Sequence, residues 1–183
     1  YDAKGLMISA IRDKNPVVYM FHKGLLGLPW MPYPQSTVTE VPEEEYTIPI
    51  GKAKIVRNGN DITIVAIGST VHMAMEAAAE LEQDGISAEI IDLRSIKPLD
   101  TDTVIESVRR TGSLLVVDED YSAFGLTSEI ISTVSHALFG KMNKAPESIA
   151  SPDVPIPYSQ PMEKYTLPDT KKIIDRVKEM FKK

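Results

Sequence analysis

Asp61-Ile-Thr-Ile-Val-Ala-Ile-Gly-Ser-Thr70, continued through Val71 to Leu93, is the stretch whose reading decides the fold. Ile62 to Ile67 is a short apolar run rich in β-branched residues that stops at Gly68, the pattern of a strand buried on both faces. Ser69 or Thr70 is then placed to cap a helix on which Val71, Ala74, Met75, Ala78 and Leu81 fall three or four apart, and Gly85 marks where the chain turns out. Ala88 to Leu93 follows as a second buried strand. Strand, helix and strand with short joints form a crossover unit, so a parallel sheet is the expected scaffold. The first strand runs into Gly68-Ser-Thr70 with neither G-x-G-x-x-G nor a phosphate loop, so the unit scaffolds and carries no nucleotide fingerprint.

Downstream the same alternation continues. Asp100 or Thr101 starts a helix carrying Val104, Ile105 and Val108, with Arg109 and Arg110 near the negative end of its dipole and Gly112 beyond. Leu114 to Val117 reads as a buried strand, and Gly125 opens a helix striped by Ile130, Val134, Ala137 and Leu138 that stops at Gly140. Glu147 to Ala150 fits a last edge strand, Pro152 to Pro157 a structured loop, and Asp169 caps a terminal helix lined by Ile173, Ile174, Val177, Met180 and Phe181. The expected architecture is three-layer α/β/α from about residue 46 onward. Upstream, Asp2 is placed to cap a helix bearing Leu6, Met7, Ala10 and Ile11, which ends before Asn15-Pro16, and Val17 to Phe21 reads as a strand. His22 to Glu45 is a stiff, proline-rich linker in which Trp30 and Tyr33 need a covering surface. Ile50 to Val56 is a further strand, and Asn58-Gly59 before Ile62 is by itself a hairpin signal.

A chain of 183 residues holds one well-buried domain and a remnant of another. No apolar run approaches the roughly 20 residues of a membrane span. The absence of cysteine excludes disulfides and thiolate metal sites and fits a reducing compartment. A formal charge of -6 argues against nucleic acid and suits a basic protein partner. Tyr1 in place of an initiator Met gives the expectation that the chain begins partway through a longer protein.

His22, His72 and His136 lie far apart with no zinc spacing, so surface or capping roles are expected of them. Asp118-Glu-Asp120 ends a buried strand where open α/β sheets place their ligands, and reads either as a polar site or subunit contact or as a solvated loop capping the next helix. Asp92 and Arg94 are placed to pair, Glu43 to Glu45 form a solvated linker face, and no Ser lies in G-x-S-x-G. These residues alone make no catalytic constellation.

Five stretches in order carry a resemblance: Asp2-Ala-Lys-Gly-Leu6, Ala10-Ile-Arg-Asp-Lys-Asn-Pro-Val-Val18, Val41-Pro-Glu-Glu-Glu-Tyr-Thr-Ile-Pro-Ile-Gly-Lys-Ala53, Ile91-Asp-Leu-Arg-Ser-Ile-Lys-Pro-Leu-Asp100 and Pro152-Asp-Val-Pro-Ile-Pro-Tyr158. Together they resemble the β subunit of the thiamine-diphosphate-dependent decarboxylase component of 2-oxo acid dehydrogenase complexes. Asp118-Glu-Asp-Tyr-Ser-Ala-Phe-Gly125 points within that family toward the acetoin or pyruvate type. The resemblance implies that residues 1 to about 45 are the tail of a pyrimidine-binding domain plus its linker, and 46–183 a transketolase-like carboxyl-terminal domain. It implies a five-stranded, mostly parallel sheet whose first strand runs antiparallel beside the third, against the hairpin reading of Asn58-Gly59.

The resemblance also implies partners and cofactors: an α subunit, a second β subunit and the small basic binding domain of the acyltransferase core, with thiamine diphosphate and magnesium in the complete assembly. The catalytic Glu and His of the family lie upstream of Tyr1, and the Gly-Asp-Gly anchor for magnesium is absent, so no catalytic or cofactor-binding residue is assigned here and the chain alone is expected to be inactive. A family potassium site maps to Ala10, Ile11, Asp13 and Asn15, since a hard monovalent ion suits oxygen ligands at a helix end; the alternative is plain helix termination at Asn15-Pro16. For the acyltransferase contact the family places an acidic residue before Ala145-Pro146, where this chain has Lys144; Glu147 is the substitute and Lys183 the terminal carboxylate, with Lys182 weakening the latter's field. The implied location is the bacterial cytoplasm, or the mitochondrial matrix in a eukaryote. The alternatives are the same domain from a transketolase or deoxyxylulose-phosphate synthase, and a free-standing interaction module.

Overall fold

A computed structural model describes residues 1–27 and 35–182. Five strands, β1 (Lys54–Arg57), β2 (Ile62–Ala66), β3 (Ala88–Asp92), β4 (Leu114–Tyr121) and β5 (Glu147–Ser151), form one sheet in the order β1-β3-β2-β4-β5. The β2–β3, β2–β4 and β4–β5 pairs are parallel, and only β1 runs antiparallel, against β3. Period-two alternation along β2 explains its complete burial: Ile62, Ile64 and Ala66 enter one core cluster and Val65 the other. The first cluster is closed by α2 (Ser69–Gln83) and α6 (Thr170–Phe181), and the second by α3 (Thr101–Thr111) and α4 (Leu126–Ala137), giving the three expected layers. Each fully buried Ile or Leu of these layers contributes about 2 kcal/mol.

The helix ends follow their sequence signals in part. Asp100 and Asp169 cap α3 and α6 by accepting from Thr103 N and Lys172 N at 3.3 and 2.7 Å. Ser69 and Thr70 do not cap α2, because Gly68 holds the cap position and both already lie in the helix. The Thr70 hydroxyl instead bridges strand ends, lying 2.8 Å from Ile67 O and 3.1 Å from Val117 O. In α1 (Asp2–Arg12) the cap position is Tyr1, and the Asp2 carboxylate turns to Arg94.

The Asn58-Gly59 turn is no hairpin. Gly59 is buried against the neighbouring strand, where an added Cβ would sit 2.2 Å from the backbone of Ala88 and Glu89. Absence of a side chain there serves close approach, and β1 pairs with β3 as the resemblance implies. The strand expected at Val17 to Phe21 does not form: the segment pairs with no strand, and Val18, Met20 and Phe21 are exposed. The expected strand at Ile50 to Val56 begins only at Lys54, after a turn at Gly51, and Leu114 to Val117 extends to Tyr121. An unanticipated short helix, α5 (Gln160–Thr166), follows the proline-rich loop. Trp30 and Tyr33 lie outside the described residues.

The amino-terminal segment is laid onto the domain. Lys4 Nζ donates to the carbonyls of Pro42, Glu43 and Glu44 at 2.5, 3.0 and 2.9 Å, and Tyr1 stacks on Tyr46 with centroids 4.5 Å apart. No helix among the described residues is long and apolar enough to cross a membrane.

A charge lies within the sheet. Glu89 on β3 is 0% exposed, and its Oε1 accepts from Ser107 Oγ and Arg110 Nη2, both at 2.5 Å. Thr63 of β2 extends the network, its hydroxyl 2.6 Å from Ser107 Oγ and 2.8 Å from Thr111 Oγ1. Removing the half-exposed counter-charge leaves the buried carboxylate to the Ser107 hydroxyl. Arg110→Ala is therefore expected to cost about 3 kcal/mol in a denaturant titration, and Glu89→Gln in that background to recover part of the loss. An Arg110→Ala chain as stable as the wild type overturns this account of the pair.

Candidate functional site: the carboxyl end of the sheet

The chain leaves β2 toward β3 on one side and returns across the sheet to β4 on the other, so β2 and β4 flank the switch point where open α/β sheets place their ligands. Residues gather there from distant parts of the sequence. His22 Nε2 lies 2.8 Å from Glu119 Oε2, joining the amino-terminal segment to the end of β4. The ring sits beside Gly68, at the start of α2, and its Nδ1 is buried without a partner. Ser69, also mostly buried, leaves its hydroxyl unpaired. Burial pushes the Asp118 carboxyl above its ordinary range, and the neighbouring Asp120 and Glu119 charges add to the shift.

At the end of β3 a second group forms. Arg94 holds a left-handed backbone (φ 59°) and donates from Nη2 to Asp2 at 2.7 Å, while its Nε is buried without a partner. The expected Asp92–Arg94 pair is made through the backbone, Arg94 N to Asp92 Oδ1 at 3.0 Å. Burial raises the Asp92 carboxyl, although the Arg94 N–H and charge and Lys54 pull the other way. Beyond β4 lies the other non-glycine residue with a left-handed backbone among those described, Phe124 (φ 58°), at a cost of about 1 kcal/mol.

The arrangement gathers carboxylates, one imidazole and one guanidinium where the amino-terminal segment meets the domain. Among the described residues no three His, Cys, Asp or Glu side chains cluster as a metal site. His72 accepts or donates at Nδ1 toward Ser36 (2.9 Å), burial lowers its imidazole, and His136 is exposed near the end of α4. Asp118-Glu-Asp120 thus divides: Glu119 forms a contact, and Asp120 folds back on Tyr121 N at 2.8 Å.

The remaining sequence-assigned residues lie elsewhere. Ala10 and Ile11 are in the last turn of α1, whose carbonyls lack intrahelical partners, and Asp13 is its C-cap. Asp13 Oδ1 accepts from Asn15 N at 2.8 Å and Asn15 Nδ2 at 3.0 Å, which holds its carboxyl below the ordinary range. Glu147, at the amino end of β5, pairs with Arg176 of α6 at 3.0 Å. Lys144 lies over the Phe181 ring at 4.6 Å, and Lys183 is outside the described residues. Sequence reasoning missed the His22–Glu119 and Asp2–Arg94 contacts, which join residues 97 and 92 positions apart.

Comparison with known proteins bears on this geometry. The family model for the transketolase C-terminal domain matches residues 51–173. The β subunit of acetoin:2,6-dichlorophenolindophenol oxidoreductase of Cupriavidus necator is 43% identical over 100% of this chain and 51% of its own length. The pyruvate dehydrogenase E1 β subunit of Bacillus subtilis is 41% identical over 99% of this chain and 53% of its own, and the 2-oxoisovalerate dehydrogenase β subunit of the same organism 40% over 98% and 53%. The chain therefore spans about half the length of these curated relatives. Among solved structures, a split-gene transketolase described as an inactive β4 tetramer aligns with a TM-score of 0.65 and 28% identity, over 78% of this chain and 46% of that one.

The raised Asp92 carboxyl has a definite sign. A carboxyl that burial shifts up binds its proton more tightly folded than unfolded, so stability falls as pH rises through its folded value and recovers below it. Asp92→Asn is expected to raise the melting temperature at pH 7 to 8, with the gain shrinking as pH falls into the carboxylate range. Melting curves across pH check it, and a gain that grows toward acid pH overturns it.

Proposed function

Because this chain belongs to the transketolase C-terminal domain family, we propose that it is the carboxyl-terminal half of the β subunit of a thiamine-diphosphate-dependent 2-oxo acid or acetoin dehydrogenase. The observation that carries the reading is coverage: dehydrogenase β subunits match nearly the whole of this chain at 40 to 43% identity, yet only about half of themselves. Residues 1–45 are then the tail and linker of the preceding pyrimidine-binding domain, and 46–183 the carboxyl-terminal domain. Thiamine diphosphate and magnesium belong to the assembly with the α subunit; none of this chain's residues is assigned to hold them.

The work of this half is association: with a second copy, with the α subunit, and with the binding domain of an acyltransferase core through the region of Glu147 and Lys183. The description of the split-gene transketolase as an inactive β4 tetramer supports both self-association and inactivity without the α partner. This reading places the protein in the bacterial cytoplasm, or the mitochondrial matrix of a eukaryote, and gives no role to nucleic acid or membrane. The test is dye reduction with pyruvate, acetoin and branched 2-oxo acids. The full-length β chain with its α subunit is expected to turn over at least one of them, and this half with the α subunit none. Turnover by the half-chain, or by neither preparation, overturns the proposal.

For potassium, the described residues include oxygen donors at one helix end. Backbone oxygens of Ala10 and Ile11 at the open end of α1, with the Asp13 carboxylate turned on Asn15, are hard donors suited to a monovalent cation. A melting temperature higher in potassium chloride than in choline chloride at equal ionic strength, with the difference lost in Asp13→Ala, is the expected result. Equal melting in both salts overturns the potassium assignment.

A further inference from the structure

Two packed units make up the described chain. In the first, α1 lies against residues 39–48. The Tyr1 amino group donates to Thr39 Oγ1 at 3.0 Å, Ser9 Oγ to Ile48 O at 2.6 Å, Tyr46 Oη to Tyr1 O at 2.6 Å and Ile48 N to Gly5 O at 3.2 Å. Gly5 is packed so tightly that an added Cβ would lie 2.6 Å from Ile48 and 2.8 Å from Tyr46. The second unit is the sheet with its helices, and it begins where Gly51 N donates to Ser95 Oγ at 2.7 Å and Ala53 N to Asp100 Oδ2 at 3.0 Å. Neither core cluster contains a described residue of 1–27 or of 39–48. Hydrophobic burial in those cores therefore does not weld the two units together.

The contacts that join them are polar. Asp2 Oδ1 accepts from Arg94 Nη2 at 2.7 Å, and Lys54 Nζ lies 3.9 Å from its Oδ2. His22 Nε2 lies 2.8 Å from Glu119 Oε2, and on the exposed linker Ser36 Oγ lies 2.9 Å from His72 Nδ1. The Arg94 side chain is the most enclosed of the ion-pairing groups here, at 12% exposure. Its backbone is left-handed, its Nε is buried without a partner, and it takes up the carboxylate of the first turn of α1. Unfavourable conformations of this kind persist only where surrounding structure enforces them, and they gather at clamps and switches. We propose that Arg94 is the clasp on which α1 and residues 39–48 open and close as one unit against the sheet domain. Release of the clasp frees that unit while the sheet stays folded. In a complete β subunit the preceding half enters through α1, so the clasp also sets where that half stands; this last step rests on the β-subunit reading.

Hydrogen–deuterium exchange read by mass spectrometry tests the clasp, on this chain and on the full-length β chain, with Arg94→Gly, Asp2→Ala and the double variant. Glycine adopts a left-handed turn freely, so Arg94→Gly removes the guanidinium without straining the sheet. Each single variant is expected to speed exchange of the α1 amides at least tenfold while β2 and β4 keep wild-type rates. The double variant is expected to add less than twofold, because both residues act through one contact. Unchanged α1 exchange overturns the clasp, as does a fully additive double variant or an acceleration shared equally by β2 and β4. In the full-length β chain with its α subunit, each single variant is expected to lower kcat at least threefold. An unchanged kcat overturns the placement of the preceding half and leaves the clasp standing. A wild-type assembly without turnover overturns the β-subunit reading and the placement with it, while the exchange rates still decide the clasp.

Discussion

Burial of β2 on both faces is the constraint from which the rest of the molecule follows. A strand with Ile62, Ile64 and Ala66 on one side and Val65 on the other cannot lie at a border or face water, so it must have strands on both flanks and helices above and below. β3 and β4 supply the flanks, and their parallel direction forces α2 and α3 to cross between them on opposite faces. That divergence opens the carboxyl end of the sheet between β2 and β4. The groups found there collect because the chain's own path brings them to one end.

The two ends of the sheet solve the problem of polarity differently. Near the amino end, Glu89 is enclosed with Ser107, Thr63 and Arg110 in a network that pairs its Oε1 and leaves its Oε2 buried without a partner. At the carboxyl end, the Ser69 hydroxyl, His22 Nδ1 and Arg94 Nε are buried without partners. Buried polar groups in a finished protein interior are nearly always satisfied. Among the described residues, three of the four unpaired buried atoms lie at the carboxyl end, where His22 and Asp2 of the amino-terminal segment meet Glu119 and Arg94.

How much of this the sequence discloses depends on the range of the interaction. The strands of the central unit, the stripes of α2, α4 and α6, and the caps at Asp100 and Asp169 are local patterns and could be read directly. Asn58-Gly59 taken alone points to a hairpin, because a turn signal and a close-packing signal share one residue type; the pairing with β3 implied by the resemblance is the one that forms. Val17 to Phe21 has strand composition but no neighbour to bond, which composition cannot convey. Glu89 was hidden in an apolar run, although an acid in a strand buried on both faces demands a cation, and Arg110 stood nearby. At the carboxyl end the acidic run Asp118 to Asp120 was visible, but its partner His22 lies across the whole fold and the left-handed turns at Arg94 and Phe124 leave no trace in residue identity.

The border formed by β1 has one more consequence. Lys54 and Arg57 stand along it, paired with Asp2 and Glu82, and the register of its pairing with β3 slips between Ile55 and Arg57, so the strand is short, irregular and edged with charged side chains. A like border brought alongside would have to displace those ion pairs and would meet a mismatched ladder. Growth of a continuous cross-β ribbon from one molecule to the next is disfavoured on that flank.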